Sequence, residues 1–338
     1  MLTINNKVKE INNCQPGDIP DFVLSSSEPL ILRDFGANWP MVKAGKESPI
    51  KAVNYIRSLY SDNPVTVYHG DPEIKGRVFY NDDMSGFNFS SFKANLNQVL
   101  DKLLEHLDDP NPPTMYIGST EINHWLPGYN EQNNASIDNL KPLTSFWLGN
   151  KSKIAAHFDF PNNLACCVVG RRKFTLFPPE QLPNLYVGPL EFAPGGQEIS
   201  LVDFDNPDFV KYPKFKDAIA AAQVAELNAG DVLFLPGMWW HHVESLEAFN
   251  MLVTHWWRDS PAFMGRPNNA LQLAMLSLRN LPLAQRKAWK AQFDYYIFDH
   301  DDESLEHIPE ATKGMLSKPL DDISARKIRA DLLNKLKR

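Results

Sequence analysis

Two short segments far apart in the chain carry residue types suited to metal chemistry. The first is His157-Phe158-Asp159, and the second is segment 230–236, which leads into Trp239-Trp240-His241-His242. Because residues two apart in a β-strand point to the same face, His157 and Asp159 can present an imidazole and a carboxylate side by side. A third ligand from a distant strand would complete a facial triad of two histidines and one carboxylate. Such a triad holds Fe(II) and leaves positions open for substrate and oxygen.

Neither segment is specific by itself. His-x-Asp triplets occur by chance in many proteins. Gly230-Asp231 and Pro236-Gly237 are turn signals that begin and end a buried strand. A histidine just beyond such a strand is equally well explained as a core residue hydrogen-bonded to the backbone. For either segment alone a structural role is the favoured interpretation, so only the two together indicate a site.

The composition narrows the class of protein. The chain has 338 residues, 43% of them hydrophobic and 22% charged, which is typical of a globular domain. A formal net charge of −7 gives no support to nucleic-acid binding, which usually needs a basic surface. No apolar run is long enough to span a membrane, and residues 1–7 lack the apolar core of a signal peptide. The adjacent Cys166 and Cys167 suit neither a disulfide nor a zinc site, so we expect a cytoplasmic protein.

The residue pattern divides the chain into three regions. Residues 1–113 combine short apolar strands with an amphipathic helix and end at a proline-rich boundary. Residues 114–258 contain many short β segments separated by Gly, Pro, Asn and Asp, which predicts a mainly β sandwich or barrel. Residues 259–338 carry apolar stripes at helical spacing. We expect these helices either to pack on their own domain or to form a homodimer, and the pattern favours neither.

A family resemblance emerges from the order of four motifs taken together. The motifs are His157-x-Asp159, segment 170–179, the acidic segment 203–208, and the Gly-Asp strand that runs into Trp239-Trp240-His241. This order resembles the cupin-like Jumonji-C oxygenases. It is most similar to the branch that contains the asparaginyl hydroxylase that inhibits hypoxia-inducible factor. The resemblance covers roughly residues 30 to 260 and is most specific over 154–258.

The resemblance implies a fold and a set of metal ligands. It implies a double-stranded β-helix (jelly-roll or cupin) core over 114–258, with an α/β N-terminal region and a helical C-terminal tail. This core would bind Fe(II) and 2-oxoglutarate and use O2. Carried over by position, the metal ligands are His157, Asp159 and His241, the first histidine after the tryptophan pair. Because side chains alternate along a strand, His241 and His242 cannot both face the metal.

The resemblance also implies residues that bind the co-substrate. In the asparaginyl hydroxylase, a lysine at the position of Arg172 holds the far carboxylate of 2-oxoglutarate. Arginine can make the same pair in a bidentate, charge-assisted form. Lys173 should then face outward, and an error of one residue in the register would exchange the two. Tyr116 matches a tyrosine that helps to hold the same carboxylate, although a barrel-wall aromatic residue explains it equally well.

This chain departs from its relatives at two positions. Ile154 stands where relatives often have a threonine that hydrogen-bonds the co-substrate, so one donor is lost. His255 stands where they often have an asparagine on the last core strand. It either contacts 2-oxoglutarate, tunes the pH response of the site or marks a changed pocket. Asn163 aligns with an amide near the substrate channel, with a plain turn asparagine as the alternative, and we place Trp240 and Trp257 beside that channel.

The function that the resemblance implies is an Fe(II)- and 2-oxoglutarate-dependent oxygenase. Hydroxylation of a protein or peptide side chain, with succinate and CO2 as co-products, is the expected reaction. Demethylation of an N-methyl group and a small-molecule substrate stay open. One alternative is a metal cupin enzyme that does not use 2-oxoglutarate, which the His-x-Asp spacing disfavours. The other alternative is a non-catalytic sensor or binding module, which the changes at Ile154 and His255 keep open.

Overall fold

Two β-sheets build the framework of residues 1–258 in the computed structural model, which describes residues 3–261, 263–301, 303–317 and 319–337. The strands are, in chain order, β1 Lys9–Ile11, β2 Leu30–Leu32, β3 Val65–Gly70, β4 Arg77–Val78, β5 Ser90–Ala94, β6 Thr114–Glu121, β7 Leu143–Gly149, β8 Lys153–Phe158, β9 Asn162–Val169, β10 Arg171–Phe177, β11 Gln223–Asn228, β12 Val232–Leu235, β13 Trp240–Ser245 and β14 Asn250–Trp257. One sheet has nine strands in the order β1-β2-β12-β9-β14-β7-β6-β3-β5, and the other has five in the order β11-β10-β13-β8-β4. The prediction of a mainly β fold is therefore confirmed.

Helices flank the sheets and form most of the C-terminal region. Among the described residues, the α-helices are α1 Asp21–Leu24, α2 Pro40–Glu47, α3 Pro49–Leu59, α4 Leu96–Glu105, α5 Ile122–Trp125, α6 Tyr129–Gln132, α7 Phe215–Ala221, α8 Pro267–Leu278, α9 Leu283–Phe293 and α10 Asp322–Leu336. Measured against the length and hydropathy that a membrane span requires, every helix in the described ranges falls short.

Alternating side chains divide the interior into two main layers. Residues on one face of β9, β12 and β14 meet β10, β11 and β13 in a core between the sheets, which includes Cys167 and Leu252. Residues on the opposite face, including Cys166 and Val253, pack in a second core together with side chains of α2, α3 and α4. Cys166 and Cys167 are free thiols that point to opposite faces, as the strand alternation predicts.

The strands on either side of the proline-rich segment 110–113 belong to one sheet. β3 and β5 precede it, β6 follows it, and β3 pairs with both of them. Residues 1–258 form one compact unit, and residues 259–338 form a second. The division into three regions with a boundary at residue 113 stays a prediction.

The second unit is helical and carries many exposed apolar side chains. Exposure reaches 77% at Leu276, 76% at Ile323 and 72% at Phe298. Within the described part of this unit, Leu305 and Ala325 are the buried hydrophobic residues. These side chains give the unit an apolar surface, and the homodimer stays a prediction.

A buried carboxylate fixes the start of β12. Asp231 accepts hydrogen bonds from the backbone N–H groups of Asp34 and Asn228, both at 2.9 Å. Its side chain also pairs with Arg33 at 2.7 Å. Glu10 pairs with the same guanidinium at 2.6 Å but is largely exposed. The turn signal at Gly230-Asp231 therefore works through a carboxylate that ties β12 to the end of β2.

We expect Asp231→Ala to lower the free energy of unfolding by about 3 kcal/mol, because it leaves a partly buried guanidinium and two backbone donors unmatched. Glu10→Ala is the matched control. It removes the exposed partner of the same Arg33, so it should cost less than about 1 kcal/mol. Urea unfolding followed by tryptophan fluorescence measures both values. Equal losses for the two variants would contradict this assignment.

Candidate metal centre

The pairing of β8 with β13 brings the three predicted ligands together. His241 on β13 lies directly opposite His157 on β8, and Asp159 follows the end of β8. One ligand atom from each of these residues lies within 4.8 Å of the other two. The Oδ2 atom of Asp159 is 3.7 Å from Nε2 of His241. This is the donor set of a facial triad of two histidines and one carboxylate.

An irregularity in this strand pair shapes the wall of the site. His241 pairs with His157, but Val243 pairs with Ile154, so β8 has one more residue than β13 over this stretch. Such a bulge re-aims side chains. Strict alternation would put positions 154 and 157 on opposite faces, yet Ile154 and His157 line the same cavity. The residue three positions before the first histidine therefore lies beside the metal ligands.

Backbone carbonyls set the tautomer of both histidines. Nδ1 of His157 is 2.9 Å from the carbonyl oxygen of Ala155, and Nδ1 of His241 is 3.0 Å from that of Trp239. Because a carbonyl oxygen only accepts, each Nδ1 carries the hydrogen. Each Nε2 then keeps its lone pair for a metal ion. Hydrogen bonding through the second ring nitrogen is typical of metal-binding histidines.

The electrostatics favour a neutral imidazole at His241. The pKa of His241 is lowered to about 4, chiefly by burial and also by the neighbouring His157, while Asp159 opposes the shift. The ring is therefore neutral at pH 7, which is the form that binds metal ions. His242 points away from the triad and stacks on Phe204 at 4.4 Å. As the alternation predicts, His241 joins the cluster and His242 does not.

A small cavity of about 50 Å³ adjoins the triad. Arg172 lies on its wall and is 3% exposed. Lys173 instead pairs with Glu244 at 2.8 Å. The structure thus places Arg172 at the cavity and gives Lys173 a partner elsewhere. Burial lowers the pKa of Arg172, and burial raises the pKa of the cavity-lining Tyr116 hydroxyl, which keeps its proton.

The cavity wall carries polar atoms that have no protein partner. Within the described residues, these buried atoms are Nε of Arg172, Nε1 of Trp256 and Oδ1 of Asn163. An unmatched buried donor or acceptor costs roughly 1–3 kcal/mol, so native proteins rarely leave several together. With two donors, one of them cationic, the wall suits a ligand that carries a carboxylate. These atoms fit the co-substrate that the family resemblance implies.

The strand parity corrects the placement of His255. On β14, Leu252, Thr254 and Trp256 line the cavity. His255 therefore points to the opposite face, where its Nδ1 lies 3.7 Å from Sγ of Cys166. A contact between His255 and the co-substrate has no support in this geometry. Sequence reasoning missed Trp256, whose only signal is its place one residue further along the same strand.

The two tryptophans placed beside the substrate channel also need correction. Trp240 packs on Phe158, with ring centroids 5.0 Å apart, in an apolar cluster outside the site. Trp257 belongs to the helix-facing core. Neither is among the residues that line the cavity or the neighbouring cleft. Asn163 lies on the wall of the small cavity and is not among the residues that line the cleft, so its place near a substrate channel stays a prediction.

An open cleft of about 500 Å³ shares four lining residues with the small cavity. The shared residues are Tyr116, Trp147, Ile154 and His157. Gln197 lines this cleft, and its Nε2 donates to Oδ1 of Asp159 at 3.0 Å. Sequence reasoning missed this contact, because no motif surrounds Gln197.

Two facing sheets that bring two histidines and one carboxylate together form the arrangement of a cupin with a candidate metal site. The family described as "Cupin-like domain" matches residues 16–263, and the chain belongs to it. The predicted jelly-roll fold class is thereby confirmed. JmjC members of this family are typically Fe(II)- and 2-oxoglutarate-dependent oxygenases.

Three curated relatives show how far the similarity extends. The chain is 35% identical over 123 residues to lysine-specific demethylase JMJ31 of Arabidopsis thaliana, covering 36% of this chain and 22% of that protein. It is 25% identical over 268 residues to JmjC domain-containing protein D of Dictyostelium discoideum, covering 72% and 55%. It is 40% identical over 106 residues to tRNA wybutosine-synthesizing protein 5 of Gallus gallus, covering 31% and 30%. The chain thus spans about half the length of these relatives or less, and the asparaginyl hydroxylase branch stays a prediction.

The burial of His255 predicts a pH dependence of stability. Burial lowers the pKa of His255 to about 4 from an ordinary value of 6.5. Below pH 6.5 the imidazole of His255 is protonated in the unfolded chain, whereas in the folded chain it stays neutral until the pH nears 4. The contribution of neutral, buried His255 to stability is therefore complete above pH 6.5 and is lost as the pH falls toward 4. At pH 5 the loss is about 2 kcal/mol.

Replacing His255 by glutamine should remove this part of the pH dependence. The measurement is the free energy of unfolding of wild type and His255→Gln at pH 7 and pH 5. We expect the drop between the two pH values to be about 2 kcal/mol smaller in the variant. His124→Gln, which replaces an exposed ring, should keep the wild-type drop. Equal drops in all three proteins would show that His255 does not titrate as its burial requires.

Proposed function

We propose that this protein is an Fe(II)- and 2-oxoglutarate-dependent oxygenase that hydroxylates a side chain of a protein or peptide. One observation carries the proposal. Two histidines and one carboxylate stand beside a cavity in which Nε of the buried Arg172 has no partner among the described residues. A metal and a dicarboxylate would satisfy both sets of groups at once.

The triad would hold the metal through Nε2 of His157, Nε2 of His241 and one carboxylate oxygen of Asp159. Bound there, Fe(II) supplies the chemistry that couples decarboxylation of 2-oxoglutarate by O2 to insertion of one oxygen atom into a substrate C–H bond. The overall reaction converts 2-oxoglutarate, O2 and R–H into succinate, CO2 and R–OH. The residues of the chain orient the reactants and exclude water.

Arg172 and Tyr116 would hold the far carboxylate of 2-oxoglutarate. A guanidinium–carboxylate pair inside a cavity is charge-assisted and geometrically selective. The indole N–H of Trp256 is a further donor on the same wall, and it offsets the donor lost at Ile154. Ile154 and Trp147 line both the cavity and the cleft, and their apolar surfaces limit the access of water.

A peptide substrate is favoured by the cleft. Among the described lining residues the charged side chains are Lys93 and Glu121. Glu121 accepts hydrogen bonds from the start of a helix, so Lys93 is the cation left for a substrate. A single lysine gives little attraction for a phosphate backbone. The names of three relatives refer to lysine demethylation, to a JmjC domain and to tRNA wybutosine synthesis. Because the cleft offers a single lysine, it favours a peptide over an RNA.

The rival function is a metal cupin enzyme that does not use 2-oxoglutarate. In that case Arg172 would bind another anion or none. The second rival is a non-catalytic sensor, which would have no need of open metal positions. Consumption of 2-oxoglutarate separates the proposal from both rivals.

Replacing Arg172 by methionine should weaken binding of 2-oxoglutarate to the Fe(II)-loaded protein by about a hundredfold, because a charge-assisted pair is lost inside a cavity. The measurement is an anaerobic titration that follows the visible charge-transfer band of the metal–keto acid chelate. Lys173→Met is the matched control. It removes the adjacent cation, which pairs with Glu244, and should leave the affinity unchanged. Loss of affinity in the Lys173 variant alone would reverse the assignment, and no band in the wild type would favour a rival.

We also propose that the C-terminal helices form a homodimer. The exposed apolar side chains of α8 and α10, including Leu276, Ile323 and Leu333, support it. In analytical ultracentrifugation the wild type should sediment with the mass of two chains. Ile323→Glu combined with Leu333→Glu should give the mass of one chain, because a buried charge disfavours the interface. A wild type with the mass of one chain at micromolar concentration would refute the dimer.

A further inference from the structure

A closed loop carries Gln197 to the candidate metal centre. We define the cleft loop as residues 188–199. Its ends are joined by a hydrogen bond from the N–H of Gly188 to the carbonyl oxygen of Ile199, at 2.9 Å. Near its middle, Phe192 stacks on Phe87 with ring centroids 4.8 Å apart. The hydroxyl group of Tyr80 also donates to the carbonyl oxygen of Phe192.

The part of the loop between these anchors and Gln197 makes few contacts. A methyl group built on Gly196 would meet no heavy atom within 4 Å, and one built on Gly195 would meet only the Gln197 side chain. The segment is therefore not held by packing at this point. Beyond this point Ile199 packs in a buried cluster with Ala155 and Tyr80, and the side chain of Gln197 bonds to Asp159.

The two oxygens of Asp159 have different surroundings. Oδ1 accepts from Nε2 of Gln197 at 3.0 Å, whereas Oδ2 faces Nε2 of His241 at 3.7 Å. An amide N–H only donates, so it satisfies a carboxylate oxygen without competing for a cation. A carboxylate with no such partner turns freely about its last bond and can present both oxygens to a metal.

We propose that Gln197 is a positioning residue for the metal centre, which holds Asp159 so that Oδ2 alone is presented to the metal. This inference rests on the proposed function, because it requires a metal ion at the triad. Gln197 also lines the cleft, so the same side chain joins the substrate-facing loop to a metal ligand. Outer hydrogen-bond partners of metal ligands commonly change metal affinity tenfold to a hundredfold.

The test is a titration of the full-length apo-protein with Co(II), followed by visible absorption. Gln197→Met keeps the length of the side chain and removes the donor. Gln181→Met is the matched control, since Gln181 accepts a hydrogen bond from Asn184 outside the site. Asp159→Ala defines the signal without the carboxylate. Thermal melting of each apo-protein shows whether it folds.

We expect Gln197→Met to melt like the wild type, to bind Co(II) about tenfold more weakly, and to give weaker visible bands. The bands should weaken because a carboxylate that turns to bind through both oxygens raises the coordination number of the metal. Gln181→Met should match the wild type in affinity and spectrum. Gln197→Glu places a carboxylate oxygen, which only accepts, against Oδ1 of Asp159. This variant should therefore reproduce the altered spectrum of Gln197→Met.

Other results would overturn the inference in distinguishable ways. Wild-type affinity and spectrum in Gln197→Met would refute the positioning role and leave the proposed function intact. Weaker binding with an unchanged spectrum would mean that Gln197 only fastens the loop, which also refutes it. A wild type that binds Co(II) no better than Asp159→Ala would overturn both the inference and the proposed function.

Discussion

The antiparallel register between β8 and β13 is the constraint on which the site depends. It places His241 directly opposite His157, and the end of β8 brings Asp159 beside both rings. A shift of one residue would turn His242 toward Asp159 and His241 toward the apolar cluster around Phe204. The bulge on β8 belongs to the same constraint, because it turns Ile154 to the cavity wall. Hydrogen bonds to backbone carbonyls then fix the histidine tautomers, so the metal-binding atoms follow from the strand pairing.

The cavity behind the triad is built at a cost in stability. Arg172, Trp256 and Asn163 each bury a polar atom that has no hydrogen-bond partner in the described part of the chain. Folding tolerates such atoms because the surrounding sheets bury a large apolar core, and because Asp231 fixes β12 to the end of β2. A ligand that binds in the cavity can supply hydrogen-bond partners for these polar atoms. The same groups thus lower the stability of the fold and suit the anionic ligand that we propose.

Much of the site could be predicted from the sequence because its residues are adjacent or carry ordered motifs. His157 and Asp159 follow from the strand period, and His241 and Arg172 follow from the order of motifs. The parity of β14 could not be predicted in the same way. A strand buried on both faces gives no alternation from which to count, so the sequence does not show that Trp256 rather than His255 faces the cavity. The contact of Gln197 with Asp159 joins a loop to a strand across 38 positions, and no local pattern announces it.

The central claim is that one metal ion binds between His157, Asp159 and His241. Anomalous diffraction at the iron absorption edge, from crystals grown with Fe(II) under anaerobic conditions, tests it most directly. We predict one strong anomalous peak within bonding distance of Nε2 of both histidines and of Oδ2 of Asp159. A peak at any other group of residues, or none at the triad when iron is present in excess, would contradict it.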